Sequence, residues 1–531
     1  MTSTRPETEP SPETQDQTRT ETRGEAAAPD ETYDVVVIGA GAVGENVADR
    51  AGRSGLDVAI VEAELAGGEC SYWACMPSKA LLRPGAVVEA AAAVAGVSVS
   101  TEIDAPAVLA HRDDVASHWD DAGQASWIES AGMTLVQGRA TIVAPRTVEV
   151  RGSAVSAIDG DPSDDGAVRT LVARHAVVVA TGSVPRLPDI EGLAAAMPWG
   201  SREATSAQQV PESLVVVGGG VVATEMATAY RDLGADVTVL SRSGLLGAME
   251  PFVGESVAAA LRESGVDVVR GASPTRVTRS DDGRVTVEYD GPQGAASLEA
   301  AEIVVATGRV ARTGDVGLES VGALPDDGAG LDVDPTGLVR GVDGDWLYAT
   351  GDVLGTVATT HQGKYQARVC GDAIAARFAR EDPREGVATW GGDVPAAGSE
   401  PRPWTRYAAT ADASAQTQVV FTRPQAASVG LTETQARDAG IDVRAVEYGL
   451  GDVAGGTLMG AGFSGTAKIV VDESRRVIVG ATFVGPEAGE MLHAATIAVV
   501  GEVPLERLWH AVPAYPTVSE VWLRLLETYG L

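Results

Sequence analysis

Two glycine-rich turns, each set between a β-branched run and a helix-like stretch, constrain this chain more than any other feature. At 34–39 the run DVVVIG leads into Gly39-x-Gly41-x-x-Gly44, and a second apolar run, DVAIVE, follows at 57–62. Residues 213–241, SLVVVGGGVVATEMATAYRDLGADVTVLS, repeat the pattern around Gly218-x-Gly220-x-x-Ala223. A strand, a glycine turn, a helix and a second strand read as a βαβ unit. Glycines in that turn let the backbone bend sharply and approach a pyrophosphate at the helix N-terminus. An α/β fold with two dinucleotide-binding units is expected.

The acceptor groups after each unit differ. Glu62 ends the second strand of the first unit, 18 residues past Gly44. A carboxylate there accepts hydrogen bonds from an adenosine ribose. The second unit ends in Leu240-Ser241-Arg242. An acid at that place would repel a 2′-phosphate, whereas Ser241 and Arg242 would hydrogen-bond and neutralise it, so NADPH is expected over NADH. The plainer reading of Arg242 is a solvated arginine at a strand end.

Charge narrows the function further. The 531 residues carry 74 acidic and 40 basic side chains, a formal net charge of −34. Such a field repels phosphate backbones and anionic lipid headgroups, which argues against nucleic-acid and membrane roles. Lysine is scarce: only Lys79, Lys364 and Lys468 occur. No run approaches the ~18–20 apolar residues that span a bilayer, and the N-terminus is too polar for a signal-peptide core, so a cytoplasmic protein is expected.

Composition also divides the chain. Residues 1–31 are polar and lack aromatics before the first strand, and read as a disordered acidic leader. The folded part up to residue 380 divides into 32–188, 189–310 and 311–380, the first and third forming one dinucleotide-binding domain and the second the other. Residues 381–415, rich in Pro, Gly, Ala and Trp, read as an irregular linker, and 416–531 resume an α+β pattern as a third unit.

Three cysteines, Cys70, Cys75 and Cys370, are too few for a disulfide scaffold. The first two lie in Gly67-Gly68-Glu69-Cys70-Ser71-Tyr72-Trp73-Ala74-Cys75-Met76-Pro77-Ser78-Lys79. In a regular helix residues five apart rise about 7.5 Å, more than the ~6.8 Å limit between the Cα atoms of a disulfide. If the two bond, the segment is distorted at a helix start, where the dipole also favours a thiolate. A metal pair and two unrelated buried thiols are the alternatives. Cys370, in a helix-like stretch, reads as core packing, as His361 and His493 read as structural.

With these residues goes a set of ordered matches: Ala180-Thr181-Gly182, Ala306-Thr307-Gly308-Arg309, Tyr348-Ala349-Thr350-Gly351-Asp352 and Tyr515-Pro516-Thr517-Val518-Ser519-Glu520. From about Tyr33 to the C-terminus the sequence resembles the pyridine nucleotide–disulfide oxidoreductases, the flavoprotein family of glutathione reductase, dihydrolipoyl dehydrogenase and mercuric reductase. The resemblance implies two Rossmann-like domains binding FAD and NAD(P), a C-terminal α+β dimerisation domain, and a homodimer. It puts FAD at Gly39, Gly41, Gly44 and Glu62, with Asp352 on the ribityl chain. The nicotinamide nucleotide falls at Gly218, Gly220 and Ala223. Gly68, Thr181, Gly182, Gly308, Arg309 and Gly351 are further expected cofactor positions. Lys79 and Glu225 would pair near the flavin, Cys75 would be the thiolate against it, and Cys70 the interchange thiol.

Several residues depart from the family. Its disulfide reductases carry a histidine base where Tyr515 stands, oriented by a glutamate matched by Glu520. A phenol with a pKa of about 10 is a poor proton shuttle at neutral pH. His510 would substitute only on a different backbone path. Tyr72, Trp73 and Ala74 replace smaller residues between the cysteines, Glu69 is expected to disfavour the Cys70 thiolate, and Val221 replaces a flavin-covering tyrosine. No cysteine follows Cys370, which sets mercuric reductase last. The expected activity is transfer from NAD(P)H through FAD and Cys70–Cys75 to a small-molecule or protein disulfide. Dihydrolipoyl dehydrogenase, a flavin-dependent quinone reductase and a non-catalytic redox sensor are the alternatives.

Overall fold

Chain order and side-chain type explain how the sheets are assembled. The computed structural model describes residues 31–152, 168–326, 328–378, 399 and 401–531. The first sheet is nucleated by β1 (Glu31–Ile38), which pairs in parallel with β2 (Val58–Glu62), and β2 with β3 (Thr134–Gln137). Val35 to Val37 and Val58 to Val61 are at most 1% exposed, as strands covered on both faces must be. Helix α1 (Ala42–Gly52) crosses between β1 and β2. An antiparallel edge of β4 (Arg139–Ala144) and β5 (Thr147–Arg151) joins through β6 (Val168–Val179). The 12-residue β6 is the spine: it holds β5 at its start and β1 along most of its length.

The chain then leaves through β7 (Ser183–Pro185) for the second unit. There β8 (Ser213–Val217), β9 (Asp236–Ser241) and β10 (Asp267–Arg270) are parallel, followed by a meander of β11 (Ser273–Arg279), β12 (Val285–Gly291) and β13 (Gly294–Ala300). β14 (Glu302–Val305) closes the parallel sheet in the order β10-β9-β8-β14. β15 (Arg309–Ala311) pairs back on β7, forming a two-stranded connector, and β16 (Leu347–Ala349) returns to the end of β6. The last unit is antiparallel, with β17 (Thr417–Val420), β18 (Gln425–Gly430), β19 (Val443–Gly449), β20 (Thr466–Asp472) and β21 (Val477–Gly485) in the order β17-β18-β21-β20-β19. Helices Ala488–Val500 and Val521–Tyr529 cover it through Leu492, Ala495, Leu525 and Leu526.

Two details differ from the sequence-based expectation. Glu31, assigned to the leader, already belongs to β1, where Arg169 binds its carboxylate at 2.8 Å; residues 1–30 lie outside the described residues. Much of the expected linker, 381–398 and 400, lies outside them as well. Its described end is folded, not irregular: Ala411–Ser414 makes a helical turn, and Asp412 accepts hydrogen bonds from Gln362 and, at 2.9 Å, from Gln366. Among the described residues no helix is long and apolar enough to cross a membrane.

Candidate active site

Glycine sets the shape of the first turn. Gly39 has φ +104°, and a Cβ on it would meet the Ala180 carbonyl oxygen at 2.5 Å, while one on Gly44 would meet the Gly39 carbonyl at 1.9 Å. Gly41 faces Gly68, where a Cβ would lie 2.7 Å from the Gly41 Cα. The N-terminus of α1 has no side-chain cap, so its first amides stay available for an anion. Glu62 accepts from the backbone N–H of Ala40 at 2.7 Å and of Glu64 at 2.8 Å. Burial pushes its carboxyl up, and these two N–H groups oppose that. Gly182, at φ +74°, has open space where a Cβ would project, and Gly351 (φ +85°) packs on Val43. Asp352 is fixed by Ser183, whose hydroxyl donates to Oδ2 at 2.6 Å. This uncapped, side-chain-free cradle fits the pyrophosphate and ribose of FAD.

The same glycines lead into the cysteine segment. Gly67 and Gly68, both at positive φ, start the short helix α2 (Gly68–Tyr72), which ends as the Trp73 N–H closes on the Glu69 carbonyl at 2.9 Å. Trp73 and Ala74 are non-helical, and α3 (Cys75–Ala92) begins anew at Cys75. The Thr205 hydroxyl donates to the Trp73 carbonyl at 2.8 Å and holds this break. Cys70 and Cys75 thus stand on either side of it, both as free, half-buried thiols. Cys75 Sγ lies 3.2 Å from Thr360 Oγ1. Its thiol is brought down to about 6, first by the hydrogen bond from Cys70 and then by Thr360 and the Lys79 charge, against burial and Glu225. The Cys70 thiol is pushed up by that same hydrogen bond, by burial and by the Cys75 charge. Of the two thiols, Cys75 is the one whose ionised form its surroundings favour.

Three parts of the chain meet at one carboxylate. Lys79 Nζ on α3 donates to Glu225 Oε2 at 2.7 Å, and the backbone N–H of Phe421, just after β17, donates to Oε1 at 2.9 Å. The Phe421 ring lies 4.9 Å from Lys79 Nζ. Glu225 is buried on helix Val221–Asp232, one turn past the second glycine motif. In that motif Gly218 has φ +140° and would clash with the Ala306 carbonyl if it carried a Cβ; Gly220 is an uncapped helix start, and Ala223 is fully buried.

Other expected site residues take different places. Ser241 is not free for a phosphate: it is 2% exposed, donates to the Gly244 carbonyl at 2.6 Å and accepts from the Gly244 N–H at 3.2 Å. Its hydroxyl closes the loop after β9, while Arg242 is exposed. Arg309, beside Gly308, binds Ser183 and Ser201, and Thr181 donates to the Arg312 carbonyl, so both brace the connector between the first two units. Glu69, beside Cys70, is turned to a cation. Its carboxylate pairs with Arg202, which also holds Glu64 at 2.7 Å and covers the Trp73 ring.

The C-terminal pair departs most. Glu520 is buried, but Oε1 accepts from Arg524 at 2.6 Å and Oε2 has no partner; Tyr515 is 77% exposed. The structure does not bring Tyr515 or the exposed His510 to Glu520. Cys370 is buried, as expected of core packing, and His361 Nε2 lies 2.9 Å from the Thr417 carbonyl. Sequence reasoning missed Thr360, Phe421, Arg202 and Glu45. Glu45 is buried on α1 with Oε1 unpartnered, and burial raises its carboxyl to about 7.

Comparison with known proteins separates the shared frame from these particulars. The family model described as "Pyridine nucleotide-disulphide oxidoreductase" matches residues 33–367, and its "dimerisation domain" matches 417–525. A dihydrolipoyl dehydrogenase of Halobacterium salinarum is 30% identical over 501 residues, covering 93% of this chain and 95% of that one. A mercuric reductase of Lysinibacillus sphaericus is 27% identical, covering 92% and 81%. The HOCl-induced flavoprotein disulfide reductase RclA from Escherichia coli has the same fold, with TM-score 0.73 at 21% identity, covering 93% of this chain and 99% of that one. Relatives that align over most of their length yet differ in acceptor share this frame of two nucleotide-binding units and a closing domain. On that common ground the chain belongs to the pyridine nucleotide-disulphide oxidoreductases, FAD-dependent enzymes that use NAD(P)H.

Proposed function

We propose that this chain is a cytoplasmic, homodimeric NADPH-dependent disulfide reductase working through Cys70 and Cys75. The observation that carries the reading is the environment of Cys75: a thiolate favoured by Cys70, Thr360 and Lys79 at the start of a helix. FAD, when bound, supplies two-electron relay between the nicotinamide and the dithiol. Gly39, Gly41, Gly44, Gly68, Glu62 and Asp352 would hold it. Glu225, held on both oxygens, fixes the Lys79 ammonium beside the redox pair. Without Ser241, the preference for NADPH rests on Arg242 and on the lack of an acid at the end of β9.

In the exchange step Cys70 loses its proton to solvent and, as the thiolate, attacks one sulfur of the acceptor disulfide. The acceptor S–S bond breaks, one half leaves as a thiolate, and the other stays on Cys70 as a mixed disulfide. Cys75 then attacks Cys70, expels the second half and restores the Cys70–Cys75 bond. Two protons from solvent complete the two product thiols. A second reading, direct reduction of a quinone, draws on Glu520, which is turned to Arg524 and orients no base.

Anaerobic titration with NADPH, with NADH alongside, tests the reading. At about two electrons per FAD, held in the dithiol, a long-wavelength thiolate-to-flavin absorbance band is expected, which Cys75→Ser abolishes. Bleaching with no such band, and quinone turnover that survives Cys70→Ser, would overturn it in favour of the quinone.

A further inference from the structure

The three parts of the chain that meet at Glu225 meet a second time further out. Two turns past Glu225, on the same face of helix Val221–Asp232, the Asp232 carboxylate accepts from both terminal nitrogens of Arg423. Arg423 stands two residues past Phe421, in the loop between β17 and β18. Its Nε also lies 2.9 Å from Glu89 on α3, the helix that carries Lys79. The Arg423 and Asp232 side chains are only 18% and 10% exposed, whereas Glu89 faces solvent. One cluster joins Lys79, Glu225 and the Phe421 N–H; the other joins the same three elements again.

Gly85 shows that room has been made for the outer cluster. It lies inside α3 without a positive φ, where glycine gains nothing from its backbone freedom and weakens the helix. A Cβ there would overlap Arg423 Nη1 and Asp232 Oδ2, so the bare backbone leaves the pair its space. The loop is short and braced from within: the buried Thr422 donates its hydroxyl to the Pro424 carbonyl at 2.8 Å. A shift at Arg423 is therefore passed on to Phe421. Glu225 is buried, and without the Phe421 N–H its Oε1 would lose its donor and the carboxylate would turn to Lys79 alone.

We propose that Arg423 is a positioning residue for flavin reduction: by gripping Asp232 and Glu89 it keeps the Phe421 N–H on Glu225, and so keeps the Lys79 ammonium in place. The inference rests on Lys79 and Glu225 serving the transfer from nicotinamide to flavin. Arginine suits the role because its planar fork takes both oxygens of Asp232 while Nε remains for Glu89. A clamp that only held the domains together would act whether or not a carboxylate stood at 225; a positioning residue acts through that carboxylate.

A double-mutant cycle separates these roles. The FAD-loaded full chain is mixed anaerobically with NADPH or NADH, whichever reduces the wild type faster, and flavin reduction is followed by stopped-flow absorbance. In Arg423→Met the limiting rate is expected to fall about three- to tenfold, with the half-saturating nucleotide concentration within about twofold of wild type. Gly85→Ala, which alters no charge, is expected to lower the limiting rate as well. In a Glu225→Ala background Arg423→Met is expected to change the limiting rate by less than about twofold. An equal limiting rate in wild type and Arg423→Met overturns the proposal, as does the same fold-loss with and without Glu225. A limiting rate that Glu225→Ala alone leaves unchanged removes Glu225 from flavin reduction, and the proposal with it. Should Arg423→Met fail to retain FAD, the isosteric Asp232→Asn breaks the same pair and is read in the same cycle.

Discussion

Glu45 shows how a single buried carboxyl sets a pH dependence. Its folded pKa is raised to about 7, mainly by burial, with Gln124 and Lys364 opposing. A raised acid binds its proton more tightly folded than unfolded, so its contribution is complete below the unfolded value of about 4.3 and is lost as pH rises through about 7. Ionising it costs up to about 4 kcal/mol at alkaline pH. Glu45→Gln is therefore expected to raise thermal stability at about pH 8 and to change it little near pH 5. Melting of the holoprotein across that range checks this, and a pH-independent difference would refute it. At this scale the sequence is least legible. Ser241 lies where a phosphate ligand would stand, but its hydroxyl turns inward to the Gly244 backbone, a choice the local pattern does not encode. Thr360 reaches Cys75 from 285 residues away, and no spacing rule links them.

At the scale of elements the sequence is more legible, because the signals are local. A β-branched run and a glycine turn before a helix give β1–α1–β2 and β8 to β9 with their parallel pairing. The break between α2 and α3 agrees with helix geometry, since two cysteines five apart do not meet on an unbroken helix. The turn of structure in Ala411–Ser414 is illegible, as it is held by Gln362 and Gln366 from another element. Gly68 ties the flavin turn to the dithiol segment. Gly68→Ala meets both a positive φ of +62° and the Gly41 backbone, so it is expected to force the two apart and lower retained FAD. Gly55→Ala, at φ +85° but with nothing within 4 Å, is expected to cost only backbone strain and keep its flavin. The ratio of flavin to protein absorbance after gel filtration distinguishes them; equal flavin in both would count against the cradle.

For the whole molecule, the closing domain exposes a group of large apolar side chains. Val512 is 86% exposed, Tyr515 77%, Ile497 58% and Trp509 41%, all within the segment matched by the dimerisation domain. Large apolar side chains left in water mark an interface. Val512→Asp is expected to convert a dimer to a monomer in light scattering, and an unchanged mass would exclude this face. The assembly of the site has an order in time as well. Lys79 and Glu225 are synthesised long before Phe421, whose backbone N–H completes the carboxylate's shell. A ribosome that stalls before residue 421 releases a chain with both nucleotide turns but an unfinished Glu225, so the last domain to be made is also the one that finishes the first two.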